Sequence, residues 1–405
     1  MKRLMLLAVL AFTSVPAAGL GAQEITLLAG GDINWSRTLK PAPAFFDRDS
    51  LKKGEWPKVP FLNTPESVAY LRATGVSPDT ALKRDRNNIE YDLKFASDEE
   101  EQRYPLQKVA PLMQSADVAF ANFENPAATG GRWTGAFKAS PTLADALRWA
   151  GIDVVSVANN HAFDDGEEGL EETTRNLWRA GVGYVGGGRD LEDARRPFVL
   201  ERKGLKIAFL GYTQFVNVGP DAFANTGKSG VVPLDPRIIK EDIQRVRKDV
   251  DYVVVSFHWG TENHQETEPA QREFAHAVID AGADIILGHH PHVPRGVEVY
   301  NGKVIVYSFG NLIFGHSHAY WMDNYLARFT LDRKGIKQVE LVPIAGKLTT
   351  LSQPYVLTGE PARALLTDIQ KRSAELDTKL DIKGDVGIVK PSSAALKPVA
   401  ATGER

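Results

Sequence analysis

The chain contains no cysteine. That absence excludes thiol nucleophiles, thiolate metal sites, iron–sulfur clusters and disulfides, so any metal must be held by His, Asp, Glu or Asn. A chain of 405 residues needs no disulfide to fold, because it can bury a sizeable core even in an oxidising compartment. An excess of either charge is also missing: 48 Lys and Arg stand against 51 Asp and Glu, so no overall basic field marks a nucleic-acid binder. No internal repeat is present. What is there is ordinary for a soluble globular chain, 43% hydrophobic and 24% charged, which excludes global disorder. The nine histidines are the more informative count.

The N terminus reads Met1, Lys2, Arg3, an apolar run over residues 4–15, and small residues to Ala22. A basic n-region, an apolar h-region and a small-residue exit predict a signal peptide over residues 1–22 and a periplasmic or secreted protein. The run falls short of the roughly 20 apolar residues that a membrane span needs.

Short apolar runs recur at residues 25–29, 118–121, 154–158, 207–210, 252–257, 285–287 and 304–307. Apolar on both faces, they predict strands buried between two layers. Helices are expected between them, over 142–149, 170–180, 237–248 and 270–281, several ended by Gly151, Gly181 and Gly282 as C-caps. Alternation of this kind predicts an α/β fold. Residues 38–104 break the pattern, being charged and rich in Pro and Lys; they read as an insertion, either a lid over one mouth of the fold or a surface loop. Leu366, Ile369, Leu376 and Leu380 predict an amphipathic helix over 360–380. The composition after Asp381 predicts a disordered tail.

Polar residues follow the predicted strands in a regular way. Asp32 follows the first run, Glu124 the second, Asn159, Asn160 and His161 the third, and His258 the run at 252–257. Gly288, His289, His290, Pro291 and His292 follow residues 285–287, and Asn311 lies just past residues 304–307. Ligands bind at the C-terminal edge of strands in open α/β sheets, so these distant positions are expected to converge. Asp32, Glu124, Asn160, His161, His258, His290 and His292 offer carboxylate, amide and imidazole donors suited to one or two divalent ions, Mn, Zn, Fe or Mg. Such ions can activate water and polarise a phosphoryl or acyl oxygen, the chemistry of a hydrolase. His316 and His318 form a rival Gly-His-x-His pair, and His289 suits an orienting role. Asp164 can receive the second ring N–H of His161 or cap the helix that follows. Arg295 and Glu262 are candidates to face a substrate or the surface.

The segments GGDINWSR (30–37), ANFENP (121–126), SVANNHAFDDGEEGL (156–170), SFHWGTE (256–262) and GHHPHVPRGVEVYNGKVIVYSFGNLIF (288–314) resemble the CapA family of capsule-synthesis proteins, associated with poly-γ-glutamate and similar to calcineurin-like metallophosphatases. The resemblance covers residues 24–345 and implies a four-layer α/β/β/α sandwich forming a domain over 23–345, followed by a helix and tail over 346–405. It implies that Asp32, Asn160, His258, His290 and His292 hold metal, with Glu124 near the place of the superfamily's bridging aspartate, and that His161 stabilises phosphate or protonates the leaving group. The superfamily's Asp-x-His reads Asp32-Ile33-Asn34 here. Two functions follow as expectations. One is a metal-dependent hydrolase acting on phosphoester or γ-glutamyl substrates, with an anionic small molecule or polymer as partner. The other is a scaffold that assists synthesis or export of an anionic capsule polymer.

Overall fold

Strands that are apolar on both faces must be covered on both, and the fold is the consequence. The computed structural model describes residues 24–35, 95–129, 137–314, 322–346 and 353–391. The predicted signal peptide, most of the predicted insertion, and the His316 and His318 pair lie outside them. In chain order the strands that pair in parallel at the start are β1 (Ile25–Asn34), β2 (Val118–Phe123), β3 (Val154–Ser156) and β4 (Gly183–Val185). A short pair, β5 (Gly187–Gly188) and β8 (Gly230–Val231), stands apart. A second sheet contains β6 (Phe198–Arg202), β7 (Leu205–Thr213), β9 (Tyr252–His258), β10 (Ile285–His289), β11 (Val297–Tyr300) and β12 (Lys303–Val306), in the order β11-β12-β10-β9-β7-β6. The chain then returns to the first sheet through β13 (Asn311–Phe314), β14 (Asn324–Asp332), β15 (Gly335–Ile344), β16 (Asp381–Lys383) and β17 (Val386–Val389). That sheet runs β16-β17-β15-β14-β1-β2-β3-β4, with β13 also paired to β1.

Side-chain alternation sorts the core into layers. Leu27, Ala29, Phe120 and Val154 of the first sheet meet Phe209, Val254, Leu287 and Val306 of the second in one buried cluster, and Phe120 stacks on Phe209 across it at 5.5 Å. The opposite faces carry Leu28, Ala121 and Val155 on one side and Val253, Ile286 and Ile305 on the other. Helices cover both. The first sheet packs on α2 (Ala110–Gln114), α3 (Leu143–Trp149) and α4 (Gly166–Ala180), through Met113, Leu147, Leu170 and Leu177. The second packs on α6 (Pro236–Val246) and α7 (Pro269–Asp280) through Ile239, Ile243, Val278 and Ile279. The result is an α/β/β/α sandwich. Two further short helices are α1 (Asp98–Arg103) and α5 (Leu191–Ala194).

Each predicted apolar run overlaps a strand. The helix expected at 360–380 is α8 (Gly359–Ala374) and stops earlier than its apolar spacing implies, because Asp377 takes a left-handed backbone, φ 57°. Leu376 and Leu380 are buried beyond its end. The disordered tail expected after Asp381 is corrected: residues 381–389 form the hairpin β16 and β17, added antiparallel to β15. Gly387 fits where a Cβ would press on Leu366 and Leu380, and Ile388 and Val389 are buried. Composition misses this because an edge strand needs only a few apolar residues in alternation. The last residues of the predicted insertion form α1, with Ser97 as its N-cap, accepting from Glu100 N.

Close backbone approach positions the polar edge. A Cβ on Gly31 would lie 1.9 Å from the Gly310 carbonyl oxygen, and next to it Asp32 N donates to that oxygen at 3.1 Å. Only glycine lets β1 come this near to the turn before β13. Gly31→Ala is therefore expected to destabilise the protein by about 1–3 kcal/mol or more, read as a lower denaturant midpoint. An unchanged midpoint would refute the packing argument.

Candidate metal centre

Register brings the strand ends together. Asp32 on β1 lies opposite Asn122 on β2 and Asn311 on β13. In the other sheet His258 at the end of β9 lies opposite His289 on β10. Beyond His289 the chain bends sharply, with left-handed backbone at His290 (φ 96°) and His292 (φ 58°). Non-glycine residues held there cost about 1–3 kcal/mol each, and such strain concentrates at functional sites. Here it turns the chain back over the sheet edge, so that His290 N donates to Asp32 Oδ2 at 3.3 Å.

Asp32, Glu124, Asn160, His258, His290 and His292 are all buried. Asn122 Nδ2 donates to Asp32 Oδ1 at 2.8 Å and to Glu124 Oε2 at 3.4 Å, bridging the two carboxylates. His258 Nε2 lies 2.7 Å from Asn160 Oδ1 and 3.0 Å from His290 Nδ1. His292 Nδ1 is 3.4 Å from Asp32 Oδ2 and 2.9 Å from Asn311 Oδ1. Glu124 Oε1 is buried without a hydrogen-bond partner, yet the Nε2 atoms of His161, His258 and His292 stand 4.0, 3.9 and 4.0 Å from it.

Electrostatics follow from that crowding. Burial would raise Asp32, but the adjacent His289 and His292 rings hold it well below the ordinary carboxylate range. Burial lifts Glu124 well above that range, and the charge of Asp32 adds to the effect. Burial, then the neighbouring His290, keeps His258 well below an ordinary histidine. His290 is pushed down to about 3 by burial and by His292. Burial opposes the charged form of His292 too, but Glu124 and Asp32 overcome it and raise that ring to about 10. A cluster of this kind fits a divalent cation. An orphaned carboxylate oxygen is ringed by imidazole nitrogens at less than about twice a metal–ligand bond of 2.0–2.2 Å, and donor atoms of Asp32, Glu124 and His292 lie within 4.8 Å of one another.

His161 sits at the open side, its side chain 15% exposed. Its Nδ1 is 2.7 Å from Asp164 Oδ2, and Phe137 packs edge-on to the ring at 4.1 Å. The residue flanking α4 in the N-cap position is Asp165, not Asp164.

The family described as Bacterial capsule synthesis protein PGA_cap matches residues 26–316. The chain belongs to this family. It is similar to the PGA biosynthesis protein CapA of Bacillus subtilis (strain 168), 37% identical over 245 residues that cover 59% of this chain and 64% of that protein. The capsule biosynthesis protein CapA of Bacillus anthracis is 31% identical over 252 residues, covering 60% of this chain and 61% of that protein. The match thus spans less than two thirds of the length of these relatives. Among solved structures, the calcineurin-like phosphoesterase YfkN from Bacillus subtilis aligns with a TM-score of 0.34 and 15% identity, over 88% of this chain and 98% of that one.

In this PGA_cap member some expectations need correction and some neighbours were not foreseen. Arg295 faces neither substrate nor surface. It is fully buried and donates to Thr261 O, His264 O and Gln271 Oε1. Trp259 is core, its indole N–H donating to Tyr307 O at 3.1 Å. His289, fully buried, has its Nδ1 3.4 Å from Asp32 Oδ1. Asn122, Asn311 and Asn217 join these donors; Asn311 is expected at this edge, and Asn217 is not. The first two occupy strand-end positions, so their signal is the one that marks Asp32. Asn217, whose Oδ1 accepts from Asn160 Nδ2 at 3.3 Å, lies in a loop with no such signal.

The charged state of His292 has a measurable consequence. A ligating imidazole must be neutral, and His292 at about 10 is protonated at pH 8. Uptake of Mn²⁺ or Zn²⁺ at pH 8 is therefore expected to release about one proton per ion or more, seen as a buffer-dependent calorimetric heat. Uptake with no proton released would contradict this protonation pattern.

Proposed function

We propose that the chain is an exported, metal-dependent hydrolase that cleaves a phosphoester or γ-glutamyl linkage in the metabolism of an anionic cell-surface polymer. The observation that carries this reading is the buried junction at Glu124 Oε1, where imidazoles from three separate segments stand 3.9–4.0 Å away and the oxygen itself has no hydrogen bond. Asp32, Glu124, Asn160, His258, His290 and His292 would hold the metal. When bound, a divalent ion supplies a Lewis acid that polarises a phosphoryl or acyl oxygen.

The protein groups do the rest. His258 and His290, kept neutral by burial, are ready to donate lone pairs without first losing protons. Asp164 accepts the Nδ1–H of His161 at 2.7 Å and fixes that ring with Nε2 directed into the cluster. His161 Nε2 is the group placed to pass a proton to the leaving group, a general-acid role worth about 10²–10⁴-fold in rate. The polymer assignment draws on the relatives, whose names tie them to capsule biosynthesis. Export draws on the basic start and apolar run of residues 1–22. Among the described residues no helix is long and apolar enough to cross a membrane.

One observation favours a second reading, a polymer-binding scaffold. Asn34 stands where the superfamily has a histidine, and its amide braces the backbone, donating to Glu124 O at 3.2 Å and accepting from Asn125 at 3.2 Å. Metal content and turnover separate the readings. The hydrolase should carry one or two equivalents after chelator-free purification and turn over p-nitrophenyl phosphate or a γ-glutamyl oligomer. His258→Ala should lose both metal and turnover. His161→Ala should keep its metal and lose about 10²–10⁴-fold in turnover. Bound metal with no turnover of either substrate would favour the scaffold.

A further inference from the structure

Glu262 lies on the loop after β9 and is exposed, while His290 and His292 beneath it are buried. Donor atoms of these three residues lie within 4.8 Å of one another, and among the described residues the Glu262 carboxylate has no hydrogen bond or ion pair. The loop around it is nevertheless firmly held. The buried Arg295 guanidinium donates to Thr261 O at 3.1 Å and to His264 O at 2.7 Å, on either side of Glu262. Asn263 N donates to Pro291 O at 2.8 Å, tying the loop to the segment that carries the two histidines. Gly260, with φ 86°, fits where a Cβ would come within 3.0 Å of the Arg295 guanidinium. A buried cation thus braces a loop whose one unpartnered carboxylate stands over two imidazoles. Preorganisation of that kind lowers the entropy cost of binding an ion.

Resting on the metal centre proposed above, we infer that Glu262 is an additional ligand of that centre, supplied from the solvent side. It differs from Asp32 and Glu124 in facing open space: Glu262, His290, Asn160, Asn217 and Phe215 line a cleft of about 580 Å³. A carboxylate ligand at that position is the one that an incoming oxygen donor can displace without disturbing the buried set.

The test is Co²⁺ titration of the metal-stripped full chain, followed by calorimetry and by the visible absorption of the ion, which reports its coordination shell. Glu262→Gln should weaken Co²⁺ binding about tenfold or more and alter the absorption band. Glu266→Gln, a change at an exposed carboxylate on the same loop that pairs with His264 and Arg372, should change neither. A Glu262→Gln spectrum identical to that of the unmodified protein overturns the inference, whether or not affinity falls, because loss of a nearby charge weakens binding without changing the shell. If the unmodified protein takes up no Co²⁺, the metal centre itself fails and the inference with it.

Discussion

Two buried carboxylates, Asp32 and Glu124, share the edge where the two sheets meet, and Asn122 hydrogen-bonds both. Like charges this close in a low-dielectric interior cannot both ionise unless something positive stands beside them. The protein answers with a raised His292 and an elevated Glu124. A divalent cation would answer the same demand with more charge in one place. The placement of the surrounding imidazoles, the strained turns and the glycine contacts can all be read as consequences of holding these two carboxylates out of water.

The scaffold meets that demand through backbone geometry. Gly31 lets β1 approach the turn at Gly310 so closely that no side chain fits, which sets Asp32 opposite Asn311. Gly288 does the same in the second sheet, where a Cβ would lie 2.1 Å from Tyr307 O. Past this point the left-handed residues His290 and His292 fold the chain over the edge. Their strain is sustained because the buried apolar layers on both sides, from Phe120 and Phe209 to Trp259 and Tyr307, leave the strands no freedom to relax. Packing energy from the core is in effect spent on the geometry of the edge.

Much of this was legible in the residues. The shortness of the apolar runs and their apolar character on both faces carried β1, β2, β3, β7, β9, β10 and β12, and the polar residues just past them carried the positions of Asp32, Glu124, Asn160, His258, His290 and His292. The less regular elements escaped. β14 and β15 belong to the same sheet as β1 but were not anticipated, and the hairpin at 381–389 was read as tail because edge strands need little apolar content. Arg295 was misread because a guanidinium is seldom buried, and nothing local reveals the carbonyls of Thr261 and His264 that receive it.

Local pattern by itself determined the α/β alternation, the chemistry of the available ligands and their place at strand ends, since these depend on neighbours in the chain. The tertiary structure alone decided which donors share one space, which imidazole carries a proton, and which asparagines serve as braces. Those properties depend on distances between atoms far apart in sequence, as when the backbone of His290 meets the carboxylate of Asp32. Electrostatic energy in a buried site varies with such separations and with the loss of water around them, and neither quantity is written in the order of the residues.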